Sequence, residues 1–340
     1  FTVSAAADTM SGTGDRDGIA MEWTARRPAV RPGGSPTRHE FTPTAFYRQF
    51  SSGPAPVLRI FSGDTVHTTT VDAGGRDHNG ERRVFGGNPL TGPFYVEGAM
   101  PGDVLAVKLA RVRLNRDTAQ SGNSVVASAL DTGLVRGERP DLDSTWALDR
   151  QAGVGRLKTP TPKLKNFQVP LRPMVGCIGV APPAQQAFRS GELGDWGGNL
   201  DYNQIVEGVT VYLPVYAPGA LLFVGDGHAA QGDGELTGDA LETSLEVEFT
   251  VEVQTGTRLN QVRVESDDYV MFSGVGNSLG EALQRATSGM ARYLAAKYGL
   301  NPAEAAVVMG SSMKYDIAEV VDPKLHVVAK LPKKLLESLM

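Results

Sequence analysis

The run Leu245-Glu246-Val247-Glu248-Phe249-Thr250-Val251-Glu252-Val253 alternates apolar with polar residues without a break. Strand side chains point to opposite faces with a period of two, so this pattern demands a strand with one face on a core and one in water. A helix would scatter both sets around its surface. Much of the chain before it follows the same rule. Thr65–Val71 is β-branched almost throughout, Val57–Phe61 ends at Ser62-Gly63-Asp64, Val104–Val112 follows Pro101-Gly102-Asp103, and Met174–Val180, Gly208–Val215 and Leu221–Asp226 continue the β pattern. Glycine supplies 40 of 340 residues, well above the usual ~7%, and its spread without a collagen period reads as many tight turns.

After residue 275 the period changes. Ser278-Leu279-Gly280-Glu281 is a capping box. Leu283, Ala286, Met290, Tyr293 and Leu294 then follow at helical spacing, and Gly299 stops the helix. Asn301-Pro302-Ala303-Glu304 opens a second helix with Pro at its first position. Strands followed by a helical pair predict an α+β fold that is predominantly β: an antiparallel sandwich or barrel-like body with a small C-terminal αα-hairpin. The expected organisation is an N-terminal arm over 1–36, a β-rich catalytic body over 37–275, and an α+β element over 276–340 completing the same domain. Within the body, 113–170 is polar, with Arg136–Pro140 and Thr159–Pro162, and reads as irregular loops with short strands.

Several function classes are disfavoured. A net charge of −5 argues against a nucleic-acid surface. No apolar run reaches 18 residues, so no membrane partner is expected. The single cysteine, Cys177, excludes an intrachain disulfide framework and a cysteine-based zinc cluster; its apolar Gly-Cys-Ile-Gly setting reads as a buried small hydrophobe. The patterns His-Glu-x-x-His, Walker A and Gly-x-Ser-x-Gly do not occur. A first residue of Phe1 fits a removed leader or a start inside a longer chain, so the compartment stays open.

The chemistry concentrates in two glycine-rich segments. Gly194-Asp195-Trp196-Gly197-Gly198-Asn199-Leu200-Asp201 is the first. Gly225-Asp226-Gly227-His228-Ala229-Ala230-Gln231-Gly232-Asp233-Gly234-Glu235, directly after an apolar strand, is the second. Glycine permits tight curvature, and carboxylates with one imidazole offer ligands for a divalent cation. Isolated Asp-Gly pairs are ordinarily turns. His228 is the foremost ligand or acid–base candidate among five histidines. His67 and Asp72 sit on opposite faces of a regular strand. His39 and His326 have no polar sequence neighbours of note.

These segments, with Leu90–Ala99, Pro101-Gly102-Asp103, Met174–Pro182, Tyr212–Val215 and Pro218-Gly219-Ala220 in the same order, resemble the acetamidase/formamidase family. The resemblance implies a β-rich body with a small αα element, and hydrolysis of a short linear amide to carboxylate and ammonia. It also implies a divalent metal site and a homo-oligomer, dimer or higher. With no credible Ser or Cys nucleophile, an activated water is the economical choice, and Zn²⁺ is the expected ion, with Ca²⁺ as a possible addition. Asp72, Asp201, Asp226 and His228 are the expected ligands, with Asp195 and Glu235 behind them. Glu97 is the expected general base, and Asn199 the residue that orients the substrate amide. The competing readings are a non-catalytic β-rich assembly protein with structural Ca²⁺ sites and, given bulky Trp196, a hydrolase of another linear C–N bond.

Overall fold

In the computed structural model, residues 2–6, 9–26, 31, 33–135 and 142–339 are described. Two large sheets carry the body. The first has nine strands, in the order Lys314–Glu319, Leu325–Pro332, Tyr269–Gly276, Arg263–Glu265, Thr210–Pro214, Val104–Leu114, Leu245–Gln254, Thr65–Thr69 and Arg38–Glu40. All pairings in it are antiparallel except that of Arg38–Glu40 with Thr65–Thr69. The alternating strand Leu245–Gln254 lies inside this sheet. Its Leu245, Val247, Phe249 and Val251 are buried, while Glu246 and Glu248 face outward to Arg111, His67 and Arg38.

The second sheet runs Val169–Pro170, Val154–Leu157, Thr145–Asp149, Thr118–Gln120, Glu242–Thr243, Leu222–His228, Met174–Gly179, Gly197–Asn199 and Leu193–Gly194, with Leu90–Glu97 added beside Leu222–His228 and Leu58–Phe61 paired in parallel with Leu90–Glu97. The polar 113–170 stretch thus supplies short strands that extend this sheet, while 136–141, including the Arg136–Pro140 run, lies outside the described residues. The two sheets pack face to face. Phe94 of the second meets Phe249 of the first edge-on, 5.3 Å between ring centroids, and one continuous apolar cluster joins them.

The helices Leu279–Tyr298 and Pro302–Ser312 form the αα-hairpin and lie on the first sheet over Tyr269–Gly276 and Leu325–Pro332. Ser278 caps the first helix by accepting from the Glu281 amide, and the Glu281 carboxylate accepts from the Asn277 amide. Ala286, Met290, Tyr293 and Leu294 face a second apolar cluster with Phe272 and Leu331. Leu283, placed on the same stripe by its spacing, is instead exposed. The helix can lie this close because Gly274 has no side chain: a Cβ there would stand 2.0 Å from the Ala282 carbonyl oxygen.

Near the N-terminus, Thr2–Ala6, Thr9–Arg16 and Ile19–Arg26 pair as a three-stranded antiparallel sheet that joins neither large sheet. Within the arm expected to have little core of its own, these segments are strands. Short runs of alternating small and polar residues closed by the Asp17-Gly18 turn explain the pairing.

Candidate active site

The site forms where the strand Leu222–His228 changes neighbours. On one side it pairs with Met174–Gly179 along its length. On the other, Leu90–Glu97 accompanies residues 222–225, and Glu242–Thr243 accompanies 227 and 228. Asp226 falls in the gap between those two strands. Such a parting of neighbours leaves a crevice at the sheet, a common place for a ligand site. The residues around it have unusual backbones. Asn88, Asp201, Asp226 and Glu235 all have positive φ, from 37° to 55°, a region that side-chain-bearing residues seldom occupy and that clusters at functional sites.

Four carboxylates and one imidazole converge there. His228 Nε2 lies 3.1 Å from Glu242 Oε1, 3.6 Å from Asp226 Oδ1 and 3.8 Å from Asp201 Oδ1. Asp201, His228 and Glu235 form one close group of ligand atoms and Asp226, His228 and Glu242 another, with His228 shared. Asp201, Asp226 and His228 are each only 1% exposed. His228 Nε2, Asp201 Oδ1, Asp226 Oδ1 and Glu242 Oε2 are buried, and none has a hydrogen-bond partner. The approach to Glu242 is close but not aligned as a hydrogen bond.

The other face of each group is held firmly. Gln231 Nε2 donates to the backbone oxygens of Asp201 and Ala318, which turns its Oε1 toward His228 Nδ1 at 2.9 Å. That contact makes Nδ1 the proton carrier and leaves Nε2 aimed into the cluster. Asn199 Nδ2 faces the carboxylates of Asp201 and Asp322, which fixes its amide orientation. Its Oδ1 then accepts from Cys177 Sγ at 2.7 Å and Asn88 Nδ2 at 3.1 Å. Asn88 also donates to Asp226 Oδ2 at 3.0 Å. Gly176 stands opposite Asp226 in the strand register, and a Cβ there would sit 2.5 Å from Asp201 Oδ1. The backbone makes room for the carboxylates at that point.

Electrostatics follow from the crowding. Burial, then Glu235 and Asp226, hold the Asp201 carboxyl well above the usual range. Burial does the same for Glu235, only partly offset by His228. Burial lifts Glu242 to about 7, opposed by His228 and aided by Asp226, and lifts Asp322 to about 7 and Glu319 to about 8. Burial alone would depress His228, but Glu242 and Asp226 outweigh it and raise the imidazole well above its ordinary value. Like charges forced together in a dry pocket retain protons until an external cation replaces them. Burial and the surrounding carboxylates push the Cys177 thiol up, so it stays protonated and is no nucleophile.

Of the residues singled out from sequence, Asp201, Asp226, His228, Glu235 and Asn199 come together here. Asp72 does not. Its Oδ2 accepts from Arg116 Nη2 at 2.6 Å and its Oδ1 from the Arg76 amide, so its charge is already matched. Asp195 sits in the turn after Leu193–Gly194, half-buried, with its carboxyl raised by burial and the cations Arg285, Lys324 and Arg292 nearest in its field. Glu97 lies at the far end of Leu90–Glu97 and pairs with Arg59 at 2.7 Å; an eight-residue strand spans roughly 25 Å, which carries Glu97 away from the Asn88 end. Trp196 is buried and stacks on Phe188 at 4.3 Å. His326 is buried too, bonded to the Leu200 carbonyl and Ser273, with burial lowering it to about 4.

The sequence reading overlooked Glu242, Asn88, Asp322 and Gln231. Glu242 is the direct cross-strand partner of His228, a pairing no local motif announces. Gln231 lay within the quoted motif, and its three-residue spacing from His228 was the available signal. Asn88 follows two glycines and precedes Pro89, which reads as a turn.

Two clefts share Gly86-Gly87-Asn88 as a wall, and one of them is lined by Glu242 of the cluster. One of about 770 Å³ is bounded by Asn88, Glu242, Asp72 and Arg116. The other, about 780 Å³, is bounded by Asn88, Asp322, Tyr47 and Arg189.

The acetamidase/formamidase family model matches residues 64–193 and 184–338, nearly the whole of the two-sheet body and the helical pair. The chain belongs to the acetamidase/formamidase family. Within it, a formamidase from Methylophilus methylotrophus is 26% identical over 193 residues, 44% of this chain and 47% of that protein. The chain thus matches about half the length of this curated relative. A recombinant predicted acetamidase/formamidase from Thermoanaerobacter tengcongensis superposes with a TM-score of 0.77 at 28% identity, covering 90% of this chain and 99% of that one. An acetamidase from Yersinia enterocolitica gives 0.75 at 27% identity, covering 91% and 96%. This acetamidase/formamidase-family chain therefore shares its fold with both.

Proposed function

We propose that the protein hydrolyses the C–N bond of a small linear amide to a carboxylate and ammonia, with a divalent cation held by Asp201, Asp226 and His228 and flanked by Glu235. What carries this reading is the set of buried, unpartnered atoms, His228 Nε2, Asp201 Oδ1, Asp226 Oδ1 and Glu242 Oε2, on residues that form two close groups sharing His228. Unsatisfied polar atoms in a dry interior are costly, and a cation beside His228 would satisfy those of Asp201, Asp226 and His228. An imidazole among carboxylates favours Zn²⁺ or a similar transition metal over Ca²⁺, which prefers oxygen alone. Such an ion supplies Lewis-acid polarisation and a nucleophile at neutral pH.

The remaining roles fall to the chain itself. Glu242 belongs both to the cluster and to the wall of a cleft. We assign to it, in place of Glu97, the transfer of a proton from the attacking water to the leaving nitrogen. Burial raises it to about 7, suited to proton transfer at neutral pH. Asn199 has its amide committed to Cys177, Asn88, Asp201 and Asp322, so it holds the carboxylates in place. Asn88 uses its amide hydrogens on Asn199 and Asp226. Its Oδ1 accepts no hydrogen bond from any described residue, and Asn88 borders both clefts, which suits the residue to accept from the substrate amide.

Ammonia release from a panel of short amides, before and after chelation and re-addition of Zn²⁺, tests the proposal. Activity should vanish on chelation and return with the ion. Undiminished turnover by metal-free protein would remove the metal from the reading, and inactivity on every amide would remove the reaction.

A further inference from the structure

The cleft that Glu242 and Asn88 close at its inner end is much larger than a formamide or acetamide needs. At about 770 Å³ it is in the range of sites for ligands of drug or metabolite size. Its walls are rich in cations. Arg76, Arg82, Arg116 and Lys158 border it, against Asp72, Asp239 and Glu242.

Pairing these charges leaves an excess on one side. Arg116 is matched by Asp72 at 2.6 Å. Glu242 is turned toward His228. Asp239 then remains as one carboxylate against Arg76, Arg82 and Lys158. Among the described residues, no carboxylate lies within ion-pair distance of Arg82 or Lys158. The Arg76 guanidinium donates only to the Gly80 carbonyl. By contrast, Arg83, next in the same loop, is paired with Asp77 at 3.2 Å. Three cations without an ion pair, Lys158 having Asp143 in its field, outnumber the one remaining carboxylate on the approach to an acidic cluster, in a chain whose net charge is −5. Cations around a cleft attract and orient an anion, and a guanidinium fits a carboxylate in particular.

We propose that the amide hydrolysed here carries a carboxylate at the end remote from the scissile bond, and that Arg76, Arg82 and Lys158 hold that carboxylate while the amide lies against Asn88 and Glu242. The substrate class is then the monoamides of short dicarboxylic acids, and the product a dicarboxylate with ammonia. This rests on the amide-hydrolysis reading and narrows its substrate.

The test compares matched pairs: malonamate with propionamide, and succinamate with butyramide, by ammonia release. The anionic member should have the higher kcat/KM by at least tenfold, through a lower KM. That advantage should shrink as salt rises toward about 0.5 M, because partly exposed charges are screened. In Arg82→Ala/Lys158→Ala the ratio of succinamate to butyramide should fall toward unity, whereas Arg83→Ala should keep the wild-type ratio. A ratio near unity in the wild type, or one that the double substitution leaves unchanged, overturns the proposal. If no amide of either kind is turned over, the amide-hydrolysis reading has failed. Calorimetry with succinamate then decides the recognition claim alone. Binding that Arg82→Ala/Lys158→Ala abolishes supports it, and absent or unaltered binding overturns it.

Discussion

Asp72 and Asp226 are both carboxylates buried beside the same cleft system, 5% and 1% exposed. Asp72 has a guanidinium at 2.6 Å and a backbone amide on its other oxygen. Asp226 has an Asn88 amide on one oxygen, nothing on the other, and other carboxylates around it. A buried charge whose partner belongs to the chain contributes to folding. Asp201, Asp226 and Glu242 share a single imidazole, His228, at 3.1–3.8 Å, which leaves them short of counter-charge. Burial alone therefore does not mark a site; the missing counter-charge does.

This contrast can be broken by mutation. The largest effect is expected at the unpaired group: Asp226→Asn should lower amide turnover by more than about 100-fold and strip the metal, since loss of a ligand exceeds loss of an outer partner, while leaving the thermal midpoint of metal-free protein unchanged or raised. Asp72→Ala should do the converse. It leaves Arg116 buried without its partner, and chemical denaturation should show a loss of about 3–5 kcal/mol, with metal content per folded chain retained. Equal stability losses at both positions would erase the distinction.

The pH response sharpens it. Asp201, Glu235, Glu242, Asp322 and Glu319 all have raised pKa values in the fold, and so does His228. Each binds its proton more tightly folded than unfolded, so the stability it gives is present at low pH and lost as pH rises through the folded pKa. Metal-free protein should therefore lose stability as pH rises from ordinary carboxylate values of 3.8 to 4.5 through about 8. Bound ion should cancel the trend, which denaturant midpoints across that range would reveal. His326 works in the other direction: lowered from 6.5 to about 4, it gives stability above 6.5 that is lost as pH falls through 4. His326→Gln should flatten that acid limb by at most a few kcal/mol. The subtlest change is Gly176→Ala, whose Cβ crowds Asp201 Oδ1. It should weaken metal retention roughly tenfold, with Asp72 and Arg116 untouched.

The same contrast explains what could be read from the chain beforehand. The sandwich was legible because Leu245–Val253 and its neighbours carry a period of two, and the helical pair because Ser278, Gly299 and Pro302 punctuate it. Asp226, His228 and Glu235 were legible because ten residues of turn-forming sequence keep them close. In sequence, Asp72 stands beside Asp201 as an expected ligand and Glu97 as the expected base. What separates them is Arg116 and Arg59, which reach them from distant strands. Glu242 was hidden for the same reason: it meets His228 only through the strand pairing that opens the crevice.

The most direct test of a cation site built from unpaired carboxylates is elemental analysis of the full chain purified without added metal, alongside Asp72→Asn and Asp226→Asn. The account predicts one tightly held transition-metal ion per chain in the wild type and in Asp72→Asn, and none in Asp226→Asn. Equal metal in all three proteins, or wild type that holds no ion even after incubation with Zn²⁺, would contradict it.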